Sequence, residues 1–164
     1  MARESALRAF KHRNYRVLFP ASVLSNIGTW AQRIAQDWLV LELTNNSGTY
    51  LGLITAVQFA PVLFFSLHGG ALADRVNKRK LLIFTNFVGG LSSLGLGLLV
   101  LAGNVKIWHV FFFALTLGIA SALDAPIRQA FTSEIVGHSD IANAVSLNSA
   151  NFNAGRLVGP ALSG

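Results

Sequence analysis

The chain has 164 residues, of which 52% are hydrophobic and only 12% are charged, and its mean hydropathy is +0.52. Soluble domains carry about 25% charged residues, so this composition argues against a globular domain with a water-facing surface. The chain has no cysteine, which excludes disulfides, and its net charge of +6 would suggest nucleic acid only in a soluble protein.

Uncharged runs dominate the chain, at residues 17–32, 50–73, 81–105 and 107–123. A bilayer core of about 30 Å needs ~20 apolar helical residues to cross it, and helices satisfy their own backbone groups in lipid. The sequence therefore predicts an all-α, polytopic membrane helix bundle. A basic tail at 1–16 precedes five transmembrane helices within 17–164, at 17–43, 49–72, 80–102, 106–128 and from about 142 onward, the fifth truncated.

The connections and the packing faces of these helices are also predicted. The stretch TNNSG at 44–48 has the composition of a turn, whereas a longer connection is expected near 129–141. Small residues at a spacing of four let membrane helices approach closely. The third and fourth helices carry such residues and are expected to pack through them. The third has Gly89, Ser93 and Gly97, with Gly90 and Gly95 beside them, and the fourth has Ala114, Gly118 and Ala122.

Lysine and arginine fall mainly on one side of the predicted bundle. The N-terminal tail, the loop after the second helix and the end of the fourth helix carry them, whereas Lys106 stands alone on the other side. Positively charged loops stay in the cytoplasm. The N-terminus and the loop at 73–80 are therefore predicted to be cytoplasmic.

The loop after the second helix contains an acid that membrane orientation does not explain. Asp74 stands beside Arg75 and shortly before Arg79, at the end of a helix where the dipole disfavours an anion. Such a cluster is suited to hold two helical bundles together at the cytoplasmic face. The alternative is an ordinary positively charged loop.

The spacing Gly70-x-x-x-Asp74-Arg75-x-Asn77-x-Arg79 resembles the signature loop between helices 2 and 3 of the major facilitator superfamily. The resemblance implies a gating loop whose acid caps a helix of the second half and holds the outward-open state. Asn77 stands where the family usually has glycine, and asparagine tolerates a left-handed turn better than most residues do.

The fifth helix carries a second pattern, Gly155-x-x-x-Gly159-Pro160-x-x-x-Gly164. It resembles the antiporter motif of the same superfamily, which marks exporters more than importers; the alternative is a simple Gly-Pro kink. Together with the first helix, this stretch is similar to the bacterial exporter branch that contains enterobactin and macrolide efflux proteins. The resemblance implies a multi-pass protein of the bacterial inner (cell) membrane.

Charged and amide side chains also fall inside the predicted spans. A charge at mid-bilayer costs about 2.5–3.5 kcal/mol on the insertion scale, so such residues normally face a cavity or a partner. Asp37 is expected between two arginines, either as part of an outer-rim clamp with Arg33 or as a proton-coupling acid. The candidate substrate and proton residues are Arg33, Gln36, Asp37, Asn153 and Arg156.

Asp124 and Arg128 lie four residues apart at the predicted inner end of the fourth helix. They are expected to form an ion pair there, or to act as partners for the Asp74 and Arg75 cluster. Among the histidines, His12 and His138 are expected to be solvated, and no set of metal ligands is predicted.

The resemblance implies a secondary active transporter that exports small molecules, siderophores or drug-like compounds, by proton antiport and alternating access. Two arginines against one buried acid favour an anionic or polyhydroxylated cargo, although lipophilic drugs also suit the aromatic lining. The expected partners are the small-molecule substrate, the lipid bilayer, a coupling proton and a missing C-terminal half. No enzyme activity, cofactor, metal or nucleic acid is expected. The alternative is a non-transporting membrane structural or interaction protein, or a truncated inactive fragment.

Overall fold

The computed structural model describes residues 8–66 and 76–163. A 3-10 turn at Arg8–Lys11 leads into four α-helices, and no strand occurs in these residues. The helices are α1 (Arg13–Leu43), α2 (Gly48–Ser66), α3 (Lys78–Leu101) and α4 (Ile107–Ser163). The prediction of an all-α membrane helix bundle is confirmed.

Helices α2, α3 and α4 each contain a stretch long and apolar enough to cross a membrane. Helix α1 does not meet that measure, since polar side chains recur along it. The number of spans therefore stays a prediction. Exposed apolar side chains on α3, such as Phe84, Phe87 and Leu94, are typical of a surface that faces lipid rather than water.

The turn at 44–48 lies where its composition predicted. Helix α1 ends at Leu43 and α2 begins at Gly48, and between them Asn45 and Asn46 take positive φ angles of 52° and 62°. Asparagine visits this left-handed region more readily than other residues with a side chain, so the two asparagines allow the chain to reverse in four residues.

The long connection expected near 129–141 is absent. Helix α4 continues through these residues and is interrupted only at Gly137, whose φ of 69° and ψ of 176° are not helical. A glycine adopts this conformation without steric cost. A single residue therefore interrupts the helix, where we expected a loop between two helices. The preceding segment, 107–136, and the following segment, 138–163, are both longer than predicted.

The chain divides into two compact units. The central unit, residues 32–127, has a core to which all four helices contribute, through Val40, Ile54, Leu96, Val110 and Ala114. The predicted close approach of the fourth helix is found there, since a Cβ at Gly118 would lie 2.5 Å from the carbonyl oxygen of Gln58.

The predicted packing face of the third helix is only partly correct. A Cβ at Gly95 would lie 2.9 Å from the ring of Phe113, and one at Gly89 would make an ordinary contact. Gly97 has nothing within 4 Å. The close approach therefore falls at Gly95, because α3 turns a neighbouring face toward α4.

The terminal unit, residues 1–31 and 128–164, joins the start of α1 to the second segment of α4. Its core contains Ala9, Tyr15, Val136 and Ala144. The Tyr15 hydroxyl donates to the carbonyl oxygen of Ala144 and to Asn148 Oδ1, each at 3.4 Å. Burial raises the pKa of Tyr15 to about 12, so the hydroxyl keeps its proton at neutral pH.

The N-terminal tail is therefore packed from residue 8 onward, and the partly exposed side chain of His12 has an acidic partner there. His12 Nε2 lies 3.1 Å from Asp140 Oδ2, and the backbone N–H of Ala9 donates to Asn143 Oδ1 at 3.0 Å. Helix α1 begins at Arg13 rather than at 17. These residues belong with the helices because their apolar side chains complete the core around Val136.

Candidate functional site

Four polar side chains on two adjacent turns of α1 form the candidate site in the central unit. Gln32, Arg33, Gln36 and Asp37 stand on two adjacent turns of one helix, and Gln36 is fully buried. Positions i and i+4 share a helical face, so the two glutamines form one row and the two charged residues form the next. We call this set, with Gln58 and Ser93, the polar cluster.

The two glutamines bind different neighbouring helices. Gln58 Nε2 of α2 donates to Gln36 Oε1 at 3.2 Å, and the Ser93 hydroxyl of α3 donates to Gln32 Oε1. Both carboxamide oxygens are thereby satisfied. The Nε2 atoms of Gln32 and Gln36 are buried and make no hydrogen bond within residues 8–66 and 76–163. The polar cluster thus contains two buried amide groups, those of Gln32 and Gln36, that can donate hydrogen bonds to a ligand.

The charged row lies beside these amides. The Arg33 guanidinium carbon is 4.8 Å from the ring centre of Phe59, within the range of a cation–π contact. The charges of Arg33 and Asp37 interact, and Asp37 Oδ1 is buried without a hydrogen bond in the described part of the chain. The cluster therefore contains one buried carboxylate oxygen, a guanidinium and the amide groups of two glutamines. Such a set can bind an acceptor-rich group or exchange a proton at Asp37 Oδ1.

Removing one member of the Gln36–Gln58 pair is expected to destabilise the protein. Gln58→Leu leaves Gln36 Oε1 buried without its donor, which costs about 1–3 kcal/mol of unfolding free energy. The double variant Q36L/Q58L is expected to cost less than the sum of the two single variants, since no buried amide is then left over. Thermal unfolding followed by tryptophan fluorescence measures all four proteins of the cycle, and strictly additive losses would contradict a coupled pair.

Only part of the predicted gating loop lies in the described residues. Gly70, Asp74 and Arg75 fall outside them. Arg79 is exposed in the first turn of α3. The expectation of a left-handed turn at Asn77 is wrong, because this residue has φ −71° and ψ 100°. Its Oδ1 accepts the Lys80 backbone N–H at 3.0 Å, so Asn77 caps the N-terminus of α3.

If Asn77 acts as a cap, alanine at this position destabilises the protein more than glycine does. If Asn77 adopted a left-handed turn, glycine would stabilise the protein. Asn77→Ala is expected to cost about 1 kcal/mol and Asn77→Gly only a few tenths, since glycine caps helices better than alanine does. Hydrogen exchange of the Lys80 amide is expected to accelerate in the alanine variant. If Asn77→Gly instead stabilises the protein, the residue is not acting as a cap.

The antiporter-type motif on α4 provides close packing against α1 in the terminal unit. A Cβ at Gly159 would lie 2.6 Å from Trp30 Cβ and 2.9 Å from the Ala31 nitrogen, and one at Gly155 would lie 2.8 Å from Asn26 Cγ. Helix α4 continues through position 160, and Gly164 lies outside the described residues. The glycines thus allow two helix backbones to approach.

The remaining polar candidates of the terminal unit lie along the same two helices. Asn153 Nδ2 donates to the Ser149 carbonyl oxygen at 2.9 Å, which is a contact within α4. The Arg156 guanidinium carbon is 6.0 Å from the ring centre of Trp30. The placement of Arg156 on the other side of Asp37 stays a prediction.

Asp124 and Arg128 each have partners on other helices. Asp124 Oδ1 accepts from the Thr85 hydroxyl at 2.9 Å and from Asn86 Nδ2 at 3.1 Å, both on α3. Arg128 donates to the Ser22 hydroxyl of α1. The predicted ion pair between Asp124 and Arg128 stays a prediction.

Sequence reasoning missed the partners that come from other helices. Phe59 and Ser93 stand in apolar or small-residue runs that gave no signal of a site. The isolated glutamine in the second predicted helix was the one available indication, because an amide in an apolar span needs a partner. The identity of that partner depends on how α1 and α2 pack.

Comparison with known proteins places the chain among membrane exporters. The family model described as transmembrane secretion effector matches residues 4–164. The staphyloferrin A transporter of Staphylococcus aureus is 32% identical over 147 residues, which cover 89% of this chain and 37% of that protein.

Two further relatives match over similar lengths. The multidrug efflux pump Tap of Mycolicibacterium fortuitum is 26% identical over 90% of the chain, and the enterobactin exporter EntS of Shigella flexneri is 22% identical over 93%. The chain spans 37% of the length of each. No solved structure matches. Since the family model covers nearly the whole sequence, the chain belongs to the transmembrane secretion effector family of the major facilitator superfamily.

Proposed function

We propose that this chain is the N-terminal portion of a secondary active transporter that exports a small molecule by proton antiport, with alternating access to the two sides of the membrane. Asp37 is the coupling acid. The observation that carries the proposal is the buried Asp37 Oδ1, which interacts with the charge of Arg33 on a helix that also carries Gln32 and Gln36. A buried ionisable group in such a helix is costly, and it marks a substrate or proton pathway more often than a purely structural site.

The chemistry at Asp37 follows from its two opposing neighbours. The positive charge of Arg33 favours the carboxylate, and burial favours the neutral acid. A carboxyl group that is subject both to a nearby positive charge and to burial changes its protonation when either the charge or the burial changes. Cargo hydroxyl groups that donate hydrogen bonds to the carboxylate favour its charged form, so cargo binding releases a proton from Asp37 and protonation of Asp37 weakens cargo binding. This linkage is the minimum that antiport requires.

The cluster favours cargo rich in hydrogen-bond acceptors. Its donor groups are the guanidinium of Arg33 and the buried Nε2 atoms of Gln32 and Gln36, against the single carboxylate of Asp37. Carboxylates, phenolates and hydroxyl groups present the acceptor oxygens that such donors bind. We therefore propose an anionic or polyhydroxylated compound of siderophore type as cargo. Two relatives are named as a siderophore transporter and an exporter of a siderophore, which supports this choice.

The relative described as a multidrug efflux pump supports a second class of cargo. Phe59 is exposed beside Arg33, and aromatic surface of this kind suits lipophilic drugs. For such cargo the glutamine donors would contribute little, so the two classes differ in how strongly they depend on Gln36.

The decisive experiment uses the complete protein in sealed vesicles with a pH-sensitive dye inside. The transporter proposal expects that adding a catecholate siderophore drives proton movement, and that a lipophilic cation drives less. A preference for the cation would reject the anionic cargo while leaving antiport intact. If no cargo moves and an imposed pH gradient has no effect, the chain belongs to a membrane protein with a structural or interaction role.

The topology of the proposal is a cytoplasmic N-terminus in the bacterial inner membrane. The asymmetric distribution of lysine and arginine supports it. The loop at 73–80 then faces the cytoplasm, and Asp124, which accepts two hydrogen bonds from α3, belongs to the same end of the bundle. Labelling of a single cysteine introduced at His138, an exposed position, reports the sidedness directly, since the chain has no native cysteine.

A further inference from the structure

We propose that the start of the chain is a fixed binding surface for the headgroups of anionic phospholipids. The surface consists of Arg8, Lys11, Arg13 and Arg16, and we call it the basic N-terminal surface. All four side chains are exposed, while Ala9 and Tyr15, which alternate with them, are buried. The proposal is independent of the transported cargo and of the role of Asp37.

The segment that carries these cations is held in place rather than left free. Three sets of hydrogen bonds tie it to the second segment of α4, from the Ala9 nitrogen, from His12 Nε2 and from the Tyr15 hydroxyl. The rings of Phe10, Tyr15 and Phe19 pack against one another with centroids 5.2–5.7 Å apart. The four cations are therefore displayed from a rigid base, so binding costs less ordering entropy than it would on a mobile tail.

The nearby acidic groups do not neutralise the surface. Asp140 is engaged by His12 at 3.1 Å, and Glu134 is the other acid in the described part of the terminal unit. The four cations of the surface thus outnumber the two acids. A surface of this kind attracts anions from the bulk and from a membrane.

The position along α1 selects a membrane lipid as the source of the anion. Immediately after Arg16 comes the uncharged run 17–32, which begins with the exposed apolar side chain of Val17. With α1 as the first span of the topology proposed above, on which this inference rests, the cations stand at the boundary between the membrane and water. Clusters of four or more basic residues at this boundary bind anionic headgroups, with a gain of about fivefold in affinity for each charge near the surface.

The test compares lipid binding of the complete protein with that of a neutralised variant. The protein in detergent is titrated with phosphatidylglycerol and with phosphatidylcholine, and bound lipids are counted by native mass spectrometry. We expect wild type to prefer phosphatidylglycerol by about tenfold or more, and the variant R8Q/K11Q/R13Q/R16Q to lose that preference. The charge-conserving variant R8K/R13K/R16K is expected to keep it, because an ammonium group also binds phosphate.

Two double variants, R8Q/K11Q and R13Q/R16Q, replace the quadruple variant if it does not fold, and each is expected to lose part of the preference. Raising the salt concentration is expected to weaken the preference. An unchanged preference in the neutralised variants would overturn the proposal, as would equal binding of the two lipids by wild type. Displacement of the lipid by millimolar glycerophosphate would also overturn it, since the ligand would then be a soluble phosphate.

Discussion

Asp37→Asn is expected to abolish proton movement coupled to cargo in the complete protein, down to the level of protein-free vesicles. Asparagine keeps the size of the side chain but cannot change its charge between pH 5 and 8. The side chain would keep its buried oxygen and its place near Arg33, so cargo is expected still to bind. The measurement is proton flux with the internal dye, alongside binding of the same cargo in detergent.

A matched control lies on the same helix. Glu42 is an exposed carboxylate near the end of α1, and Glu42→Gln is expected to leave coupling unchanged. Asp37→Glu is expected to retain part of the coupling, because it preserves the titrating group. If Asp37→Asn transports with normal coupling and merely unfolds at a lower temperature, Asp37 is instead one half of a structural clamp with Arg33.

Gly159→Ala is expected to destabilise the protein by about 1–3 kcal/mol, although alanine is the better helix former. The added Cβ would lie 2.6 Å from Trp30 Cβ and 2.9 Å from the Ala31 nitrogen. Both atoms belong to the α1 backbone or its first side-chain carbon, so neither can rotate away and the two helices must separate. Thermal unfolding followed by tryptophan fluorescence reports the loss, since Trp30 is at the contact.

Gly97→Ala is the control for this substitution. Gly97 lies within α3 and has nothing within 4 Å of its Cβ position, so alanine there is expected to be neutral or to stabilise by up to about 1 kcal/mol. Gly155→Ala is expected to fall between the two, because the nearest atoms belong to the Asn26 carboxamide, which donates to the Asn151 carbonyl oxygen at 2.8 Å. Equal effects at Gly97 and Gly159 would show that close packing is not the function of Gly159.

The loop predicted at 129–141, which is helical in the structure, shows why loops between helices are difficult to predict from sequence. The stretch contains Glu134, His138 and Asp140, and polar residues of this kind are typical of a loop between spans. In the structure they lie on a helix whose apolar positions, such as Val136 and Ala144, pack against the N-terminal segment. Periodicity over short windows does not separate a solvent-facing helix from a loop, whereas packing does.

Asn77 shows a second weakness, in which a residue type suits two local conformations and the sequence analysis considered only one of them. Asparagine caps helices and also tolerates left-handed turns, and the sequence does not distinguish the two. The conformation was decided by the Lys80 amide, whose position relative to Asn77 is fixed once α3 begins at Lys78.

The sequence by itself determined the class of the protein, the turn at 44–48 and the presence of Arg33 and Asp37 on one face of α1. These properties depend on composition, local backbone preference and the 3.6-residue period of the helix. All three are determined by residues that are close together in the sequence. Only the tertiary structure decided that Gln36 meets Gln58, that Gly159 faces Trp30, and that residues 8–16 pack against α4. Each of these depends on the rotation of one helix against another, which is set by the fit of many side chains at once.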